Sequence, residues 1–269
     1  MDKRKIVIIG GVAGGATAAA KLRRLSEKDE IIIFEKDEYI SFANCGLPYY
    51  IGNVITDRSK LLVQTVEGMS KRFNLDIRNL SEVISIDRVK KEVHIRKSSG
   101  VEYQESYDVL ILSPGASPIV PPIPGLKESS NVFILRNIPH TDAIADFIKT
   151  KQPKKATVIG GGFIGVEMAE NLIERGLEVT LVDMAEQVLA PVDYEMSQLV
   201  HEELTRHGVR LVLKDGVKAF HQQGHQVETQ SGLMIDSDLI ILAIGVSSEI
   251  RLAKDAGLEI GDLKGILVD

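Results

Sequence analysis

Lys5-Ile-Val-Ile-Ile-Gly10-Gly-Val-Ala-Gly-Gly15-Ala-Thr-Ala-Ala-Ala-Lys21-Leu-Arg-Arg24-Leu25 is the stretch whose reading decides the fold. Its opening apolar run is too short for a helix and is cut off by glycine, so it reads as a buried strand. The glycine run is a tight turn, and the alanine-rich Ala16–Leu25 is a helix. Ile31-Ile-Ile-Phe34 is a second buried strand, closing on Glu35. Strand, glycine turn, helix and strand make a βαβ unit in a parallel sheet covered on both faces.

The same order returns later in the chain. Ala156-Thr-Val-Ile159 leads into Gly160-Gly-Gly-Phe-Ile-Gly165, a helix to about Arg175, and Glu178-Val-Thr-Leu-Val182 closing on Asp183. Each copy has a matching tail. In the first, Glu82–Asp87 and Glu92–Arg96 precede Tyr107-Asp-Val-Leu-Ile-Leu112-Ser-Pro-Gly115. In the second, Val209–Leu213, Val217–Phe220 and Gln226–Gln230 precede Ser237-Asp-Leu-Ile-Ile-Leu242-Ala-Ile-Gly245. A proline-rich stretch, Pro118-Ile-Val-Pro-Pro-Ile-Pro124, joins them as an extended connector. The expected organisation is α/β, with two Rossmann-like dinucleotide-binding domains. Residues 1–118 form the first and 119–150 a connector with a lead-in helix. Residues 151–246 form the second, and 247–269 return toward the first. Gly265-Ile-Leu-Val-Asp269 reads as a further strand, so the chain is expected to be truncated there.

In a dinucleotide fingerprint, the first glycine makes the turn, the second lets the pyrophosphate approach, and the third lets helix and strand pack. Gly160, Gly162 and Gly165 match all three, with Gly161, Phe163 and Ile164 between them. Asp183 stands where the acid that binds the ribose is expected. The first turn departs from this pattern: Gly10 and Gly15 hold the outer positions, but Val12 replaces the middle glycine, with Gly11, Ala13 and Gly14 around it. Glu35 is its acid. Two nucleotide sites suggest a flavin together with a nicotinamide. Glu35 is followed by Lys36 and Asp183 by Met184, with no arginine next to either acid, which favours NADH over NADPH at the second site.

The chain has a single cysteine, in Ser41-Phe-Ala-Asn-Cys45-Gly-Leu-Pro-Tyr-Tyr50. One reading is a buried thiol acting as a small hydrophobe. The other takes Asn44 and Ser41 as caps of a helix starting at Cys45 or Gly46, where the helix N-terminus favours a thiolate. Lys21, Arg23 and Arg24 are either a solvated helix face or a patch for an anionic substrate. His94, His140, His201, His207, His221 and His225 lack metal-ligand spacing, so no metal site is expected.

Gly10-Gly-Val-Ala-Gly-Gly-Ala-Thr17, Ser41-Phe-Ala-Asn-Cys45-Gly-Leu-Pro-Tyr, Ser113-Pro-Gly-Ala116 and Gly160-Gly-Gly-Phe-Ile-Gly165-Val-Glu167 together resemble the single-cysteine branch of the FAD-dependent pyridine nucleotide-disulfide oxidoreductases. Within it, the sequence is similar to the coenzyme A-disulfide reductases and NADH-dependent persulfide reductases, some with a C-terminal rhodanese domain. The valine at position 12 agrees with that branch. The resemblance implies FAD contacts at Gly10–Gly15, Glu35, Lys36, Val83, Ser113, Gly115 and Arg136. It implies a nicotinamide nucleotide site at Gly160–Gly165, Glu167, Asp183 and Gly245. Cys45 would be the redox nucleophile, with coenzyme A at Thr17, Lys21, Arg24, Ser41 and Asn44, and Lys71 or Arg72 nearby. It further implies a dimerisation domain beyond residue 269 and a homodimer whose partner subunit contributes tyrosines to the active site.

Composition is consistent with this reading. Of 269 residues, 44% are hydrophobic and 26% charged, as in ordinary globular proteins rather than disordered chains. A net charge of −6 argues against nucleic acid or an anionic membrane as partner. The apolar runs are too short to cross a bilayer, and no signal peptide precedes the first strand. A lone cysteine excludes a disulfide scaffold and favours the cytoplasm. Three functions compete: a disulfide or persulfide reductase, an NADH oxidase or peroxidase cycling Cys45 through a sulfenic acid, and an inactive nucleotide-binding fragment. Oxidase relatives carry a histidine in the first glycine turn, where this chain has Ala13.

Overall fold

The structure is a computed structural model that describes residues 3–268. The chain divides into two compact units, and neither is one continuous stretch. The first comprises the chain up to Ala43, Leu62–Ser117 and the stretch from Ser247 onward. The second comprises Asn44–Leu61 and Pro118–Val246. Residues 44–61, read from sequence as part of the first domain, thus group with the second unit.

In the first unit, β1 (Lys5–Ile9), α1 (Gly14–Leu25) and β2 (Glu30–Phe34) form the expected βαβ element. With β3 (Asp76–Arg78) and a strand at Val109–Leu112, they build a parallel sheet in which β1 lies between β2 and Val109–Leu112. The continuous apolar runs alternate between two cores. Ile6, Ile8, Ile31 and Ile33 pack with Ala16 and Ala19 of α1 and with Met69 of the helix Val66–Phe73. Val7, Ile9, Ile32 and Phe34 pack on the other face with Val83, Val93 and Ile95. Those three come from an antiparallel sheet of Ser81–Asp87, Glu92–Lys97 and Glu102–Ser106. Burial on both faces is why these strands read as unbroken hydrophobic runs.

The second unit repeats the plan. Its parallel sheet runs in the order Arg210–Val212, Glu178–Val182, Lys155–Ile159, Leu239–Leu242, Val132–Ile134. Ile159, Val182, Ile240 and Leu242 share a core with Phe220, Val227 and Ile235 of a three-stranded antiparallel sheet. The helix Phe163–Glu174 packs on Lys155–Ile159 and Glu178–Val182, burying Met168, Ala169 and Leu172.

Two expectations need correction. Gly265–Asp269 is not a strand where it is described: Ile266 forms one isolated bridge with Ile260, and Asp269 lies outside the described residues. The helix after Cys45 starts later than expected. Asn44–Gly46 is a 3-10 turn, and the α-helix covers only Leu47–Ile51. Gly46 occupies the cap position with no side-chain bond, and Ser41 sits upstream at φ +43°, so neither Asn44 nor Ser41 caps this helix. Among the described residues, no helix is long and apolar enough to cross a membrane.

Candidate functional site

The two glycine turns share their main constraints, although the second helix starts one residue earlier relative to its turn. Gly10 at φ +98° and Gly160 at φ +107° adopt a backbone that L-residues avoid. A Cβ on Gly10 would stand 2.0 Å from the Ser113 carbonyl oxygen, and one on Gly160 would stand 2.4 Å from that of Ala243. Gly15 and Gly165 each leave 1.8 Å between a hypothetical Cβ and the carbonyl of the first glycine, so only glycine lets the helix come this close. The acids match too. Gly11 N–H donates to Glu35 Oε2 at 2.8 Å and Asp37 N–H to Oε1 at 2.9 Å. Gly161 N–H donates to Asp183 Oδ2 at 2.5 Å and Ala185 N–H to Oδ1 at 2.7 Å. Burial is the main force pushing the Glu35 carboxyl up, opposed by the Asp37 and Gly11 amides.

These turns fit a dinucleotide. Both 12-residue helices start without a side-chain cap and without an acidic residue in the first turn, which leaves their N-terminal amides free for phosphate. A Cβ on Gly162 would meet nothing within 4 Å, so the backbone borders open space where a pyrophosphate approaches. In the first turn the half-buried Val12 takes that place, while Ala13 and Gly14 remain exposed.

The other expected residues divide between the units. In the first unit, Thr17, Lys21 and Arg24 are exposed at i, i+4 and i+7 of α1, one stripe of the helix. Lys71 and Arg72 are exposed in the last turn of Val66–Phe73. Arg23 belongs to the scaffold, donating to the carbonyls of Phe73 and Asn74 at 2.8 Å each. Val83 has its side chain in the core, which leaves only its backbone for a ligand. Lys36 and Gly115 are exposed, and Ser113 is half-buried beside the first turn. Arg136 and Gly245 belong to the second unit, as do Glu167, Asn44 and Cys45.

Cys45 is exposed, which excludes the buried, inert thiol. Its segment is fastened within the second unit. Leu47–Ile51 packs on the helices Ile138–Lys151 and Phe163–Glu174. Arg58 grips Asp142 in a bidentate pair at 2.8 and 2.6 Å. Gly52 abuts Asn171, whose amide donates to the Glu167 carbonyl at 2.8 Å. The surroundings are acidic: Glu170 first, then burial, then Glu167, push the Tyr49 hydroxyl up. Burial, then Glu170, push the Glu167 carboxyl up. Sequence reading missed Tyr49, Gly52, Arg58, Asp142, Glu170 and Asn171. Only the tyrosine and glycine just after Cys45 gave a local signal. Among the described residues, no group of three or more His, Cys, Asp or Glu could hold a metal.

The family model described as pyridine nucleotide-disulphide oxidoreductase matches residues 4–269, and the chain belongs to that family. Membership implies FAD and NAD(P)H as cofactors. The chain is 38% identical over 264 residues to the coenzyme A disulfide reductase of Staphylococcus haemolyticus, covering 96% of this chain and 58% of that protein. Among solved structures, it is 62% identical to reduced CoADR-RHD of Bacillus anthracis, with a TM-score of 0.97 over 98% of this chain and 48% of that one. It is 33% identical to an NAD-dependent persulfide reductase from A. fulgidus, with a TM-score of 0.94 over 98% of this chain and 50% of that one. The chain thus spans somewhat more than half the length of the curated relatives it matches.

Proposed function

We propose that this chain is the nucleotide-binding part of a flavoprotein that uses NADH to reduce coenzyme A disulfide or a coenzyme A persulfide through Cys45. The observation that carries the reading is an exposed Cys45 just ahead of the short helix Leu47–Ile51, which itself packs on the helix that opens at the second glycine turn. The similarity to a coenzyme A disulfide reductase and a persulfide reductase supports it.

Glu35 and the amides of Val12–Gly15 would hold FAD, with Ser113, Gly115 and the Val83 backbone. Asp183 and the amides of Gly162–Gly165 would hold the nicotinamide nucleotide. Bound FAD supplies two-electron redox chemistry between a nicotinamide and a disulfide. The Cys45 thiolate attacks one sulfur of coenzyme A disulfide, forming a mixed disulfide and releasing one coenzyme A thiolate. Two electrons from NADH then cleave that bond, releasing the second thiolate and regenerating Cys45. With a persulfide, the same attack leaves a mixed disulfide and releases hydrogen sulfide. In the first unit, Thr17, Lys21 and Arg24 present a polar and cationic stripe for a phosphate-bearing substrate, with Ser41, Lys71 and Arg72 as further candidates in the same unit.

Asp183 makes NADH the preferred reductant, because a carboxylate accepts from the ribose 2′-hydroxyl and repels a 2′-phosphate. The whole protein works as a homodimer in the reducing cytoplasm. The test is NADH consumption by the purified whole protein with coenzyme A disulfide, beside its Cys45→Ser variant. Thiol release by the wild type and none by C45S is the expected result. Consumption driven by oxygen alone, or a colourless protein that takes up no added FAD, would overturn the reading.

A further inference from the structure

The acidic strand end of the second unit is bordered by a segment that the nucleotide fingerprint does not include. Val212–Asp215 runs alongside residues 183–185: Asp183 N–H donates to the Val212 carbonyl at 2.9 Å. Lys214 N–H donates to the Ala185 carbonyl at 2.8 Å, and Asp215 N–H to that of Asp183 at 3.1 Å. Lys214 takes φ +56°, an αL conformation away from its strand. Its ammonium meets the Glu186 carboxylate at 3.1 Å, with both side chains largely exposed. The neighbouring charges are otherwise engaged. Asp183 is held by Gly161 and Ala185, and Asp215 accepts from the Ser231 backbone N–H at 3.0 Å and from its hydroxyl at 2.6 Å. Met184 lies over Gly216, where a Cβ would come within 2.8 Å of its Cγ.

We infer that the Glu186–Lys214 pair is a second determinant of nucleotide choice, in which Glu186 withholds from a 2′-phosphate the cation carried by the segment whose backbone pairs with the ribose-binding acid and its successors. A lysine next to this loop would serve a 2′-phosphate as a point charge. Paired with Glu186 it is neutralised, and the phosphate meets the negative field of Asp183 together with a second carboxylate. Discrimination against NADPH then has two parts: repulsion by Asp183, and the capture of Lys214. The pair is exposed, so it adds little to stability.

The inference rests on the reading of the second unit as an NADH site, and the experiment separates the two. Dissociation constants for NADH and NADPH are measured by fluorescence titration at low salt for the wild type, Glu186→Gln, Lys214→Ala and the double variant. The expected result is a wild type that prefers NADH and an E186Q protein that binds NADPH roughly tenfold tighter with NADH within twofold. The double variant loses that gain, and raising the salt shrinks it. An E186Q protein with an unchanged NADPH-to-NADH ratio, in a wild type that prefers NADH, overturns the inference alone. So does a gain that survives in the double variant. A wild type that binds NADPH as tightly as NADH, or binds neither, overturns the reading of the site and the inference with it.

Discussion

Replacing Gly52 by alanine tests how the cysteine segment is fastened. Gly52 has φ −66° and ψ −9°, which any residue adopts, so its backbone gives no reason for glycine. Space gives the reason. A Cβ there would stand 2.1 Å from Asn171 Oδ1, more than an ångström inside ordinary contact. Asn171 is 1% exposed and cannot swing into solvent without giving up its bond to the Glu167 carbonyl. Overpacking costs about 2 kcal/mol and the lost hydrogen bond about 1 kcal/mol, so G52A should destabilise by about 3 kcal/mol. At 2–4 °C per kcal/mol for a chain of this size, that is a drop in Tm of about 6–12 °C. The decisive assay is a double-mutant cycle by thermal denaturation. Asn171→Ala removes the obstructing amide but keeps a Cβ 2.9 Å from the new methyl, so G52A/N171A should lie only about 1 kcal/mol below N171A, a coupling of about 2 kcal/mol. Additive losses, or a G52A protein with unchanged Tm, would refute the steric argument.

Alanine at Gly162 should leave Tm unchanged but weaken nicotinamide nucleotide binding, whereas alanine at Gly165, 1.8 Å from the Gly160 carbonyl, should cost folding itself. Comparing thermal shift with nucleotide titration checks this, and equal effects on both would contradict it. Cys45 is exposed, so one thiol per chain should react with a chromogenic disulfide in the folded protein and none in Cys45→Ser; a thiol that titrates only after denaturation would refute this placement. Arg4, through its guanidinium and then its backbone N–H, holds the Asp29 carboxyl at about 2. That lies below the ~3.9 of an unfolded chain. The stabilisation is therefore present above about pH 4 and lost as pH falls toward 2. Asp29→Asn should flatten the stability profile across that window; an unchanged slope would rule it out. Asp183→Ala should narrow the ratio of NADPH to NADH dissociation constants, and an unchanged ratio would remove Asp183 from nucleotide choice.

The two glycine turns were legible in the sequence because each step is local. A short apolar run, a glycine that needs positive φ, and an acid about 20 residues on are all set by the backbone geometry of one βαβ unit. The alternation that assigns Ile6 and Ile8 to one core and Val7 and Ile9 to the other was implicit in an unbroken run buried on both faces. The cysteine segment was less legible. Asn44 and Ser41 have the chemistry of caps, but a five-residue helix is too short to show a period, and its start is shifted to Leu47 with Pro48 in its first turn. What fixes it comes from far along the chain: Arg58 and Asp142 are 84 residues apart, and no local pattern announces them. Val83 shows the opposite limit. A residue named for a ligand contact is, by its side chain, a core residue.

The grouping of Asn44–Leu61 with Pro118–Val246 bears on how such a protein can be recombined. A graft that exchanged residues 118–246 for the nucleotide fold of another member of the family would look natural on a linear map. It would replace Asp142 and Asn171 while leaving Arg58 and Gly52 behind, so the thiol's segment would face a foreign surface. Exchanging this unit therefore requires two pieces of chain to move together. Substitutions in Ile138–Lys151 or Phe163–Glu174 are, by the same logic, a route to tuning the thiol from outside its own segment.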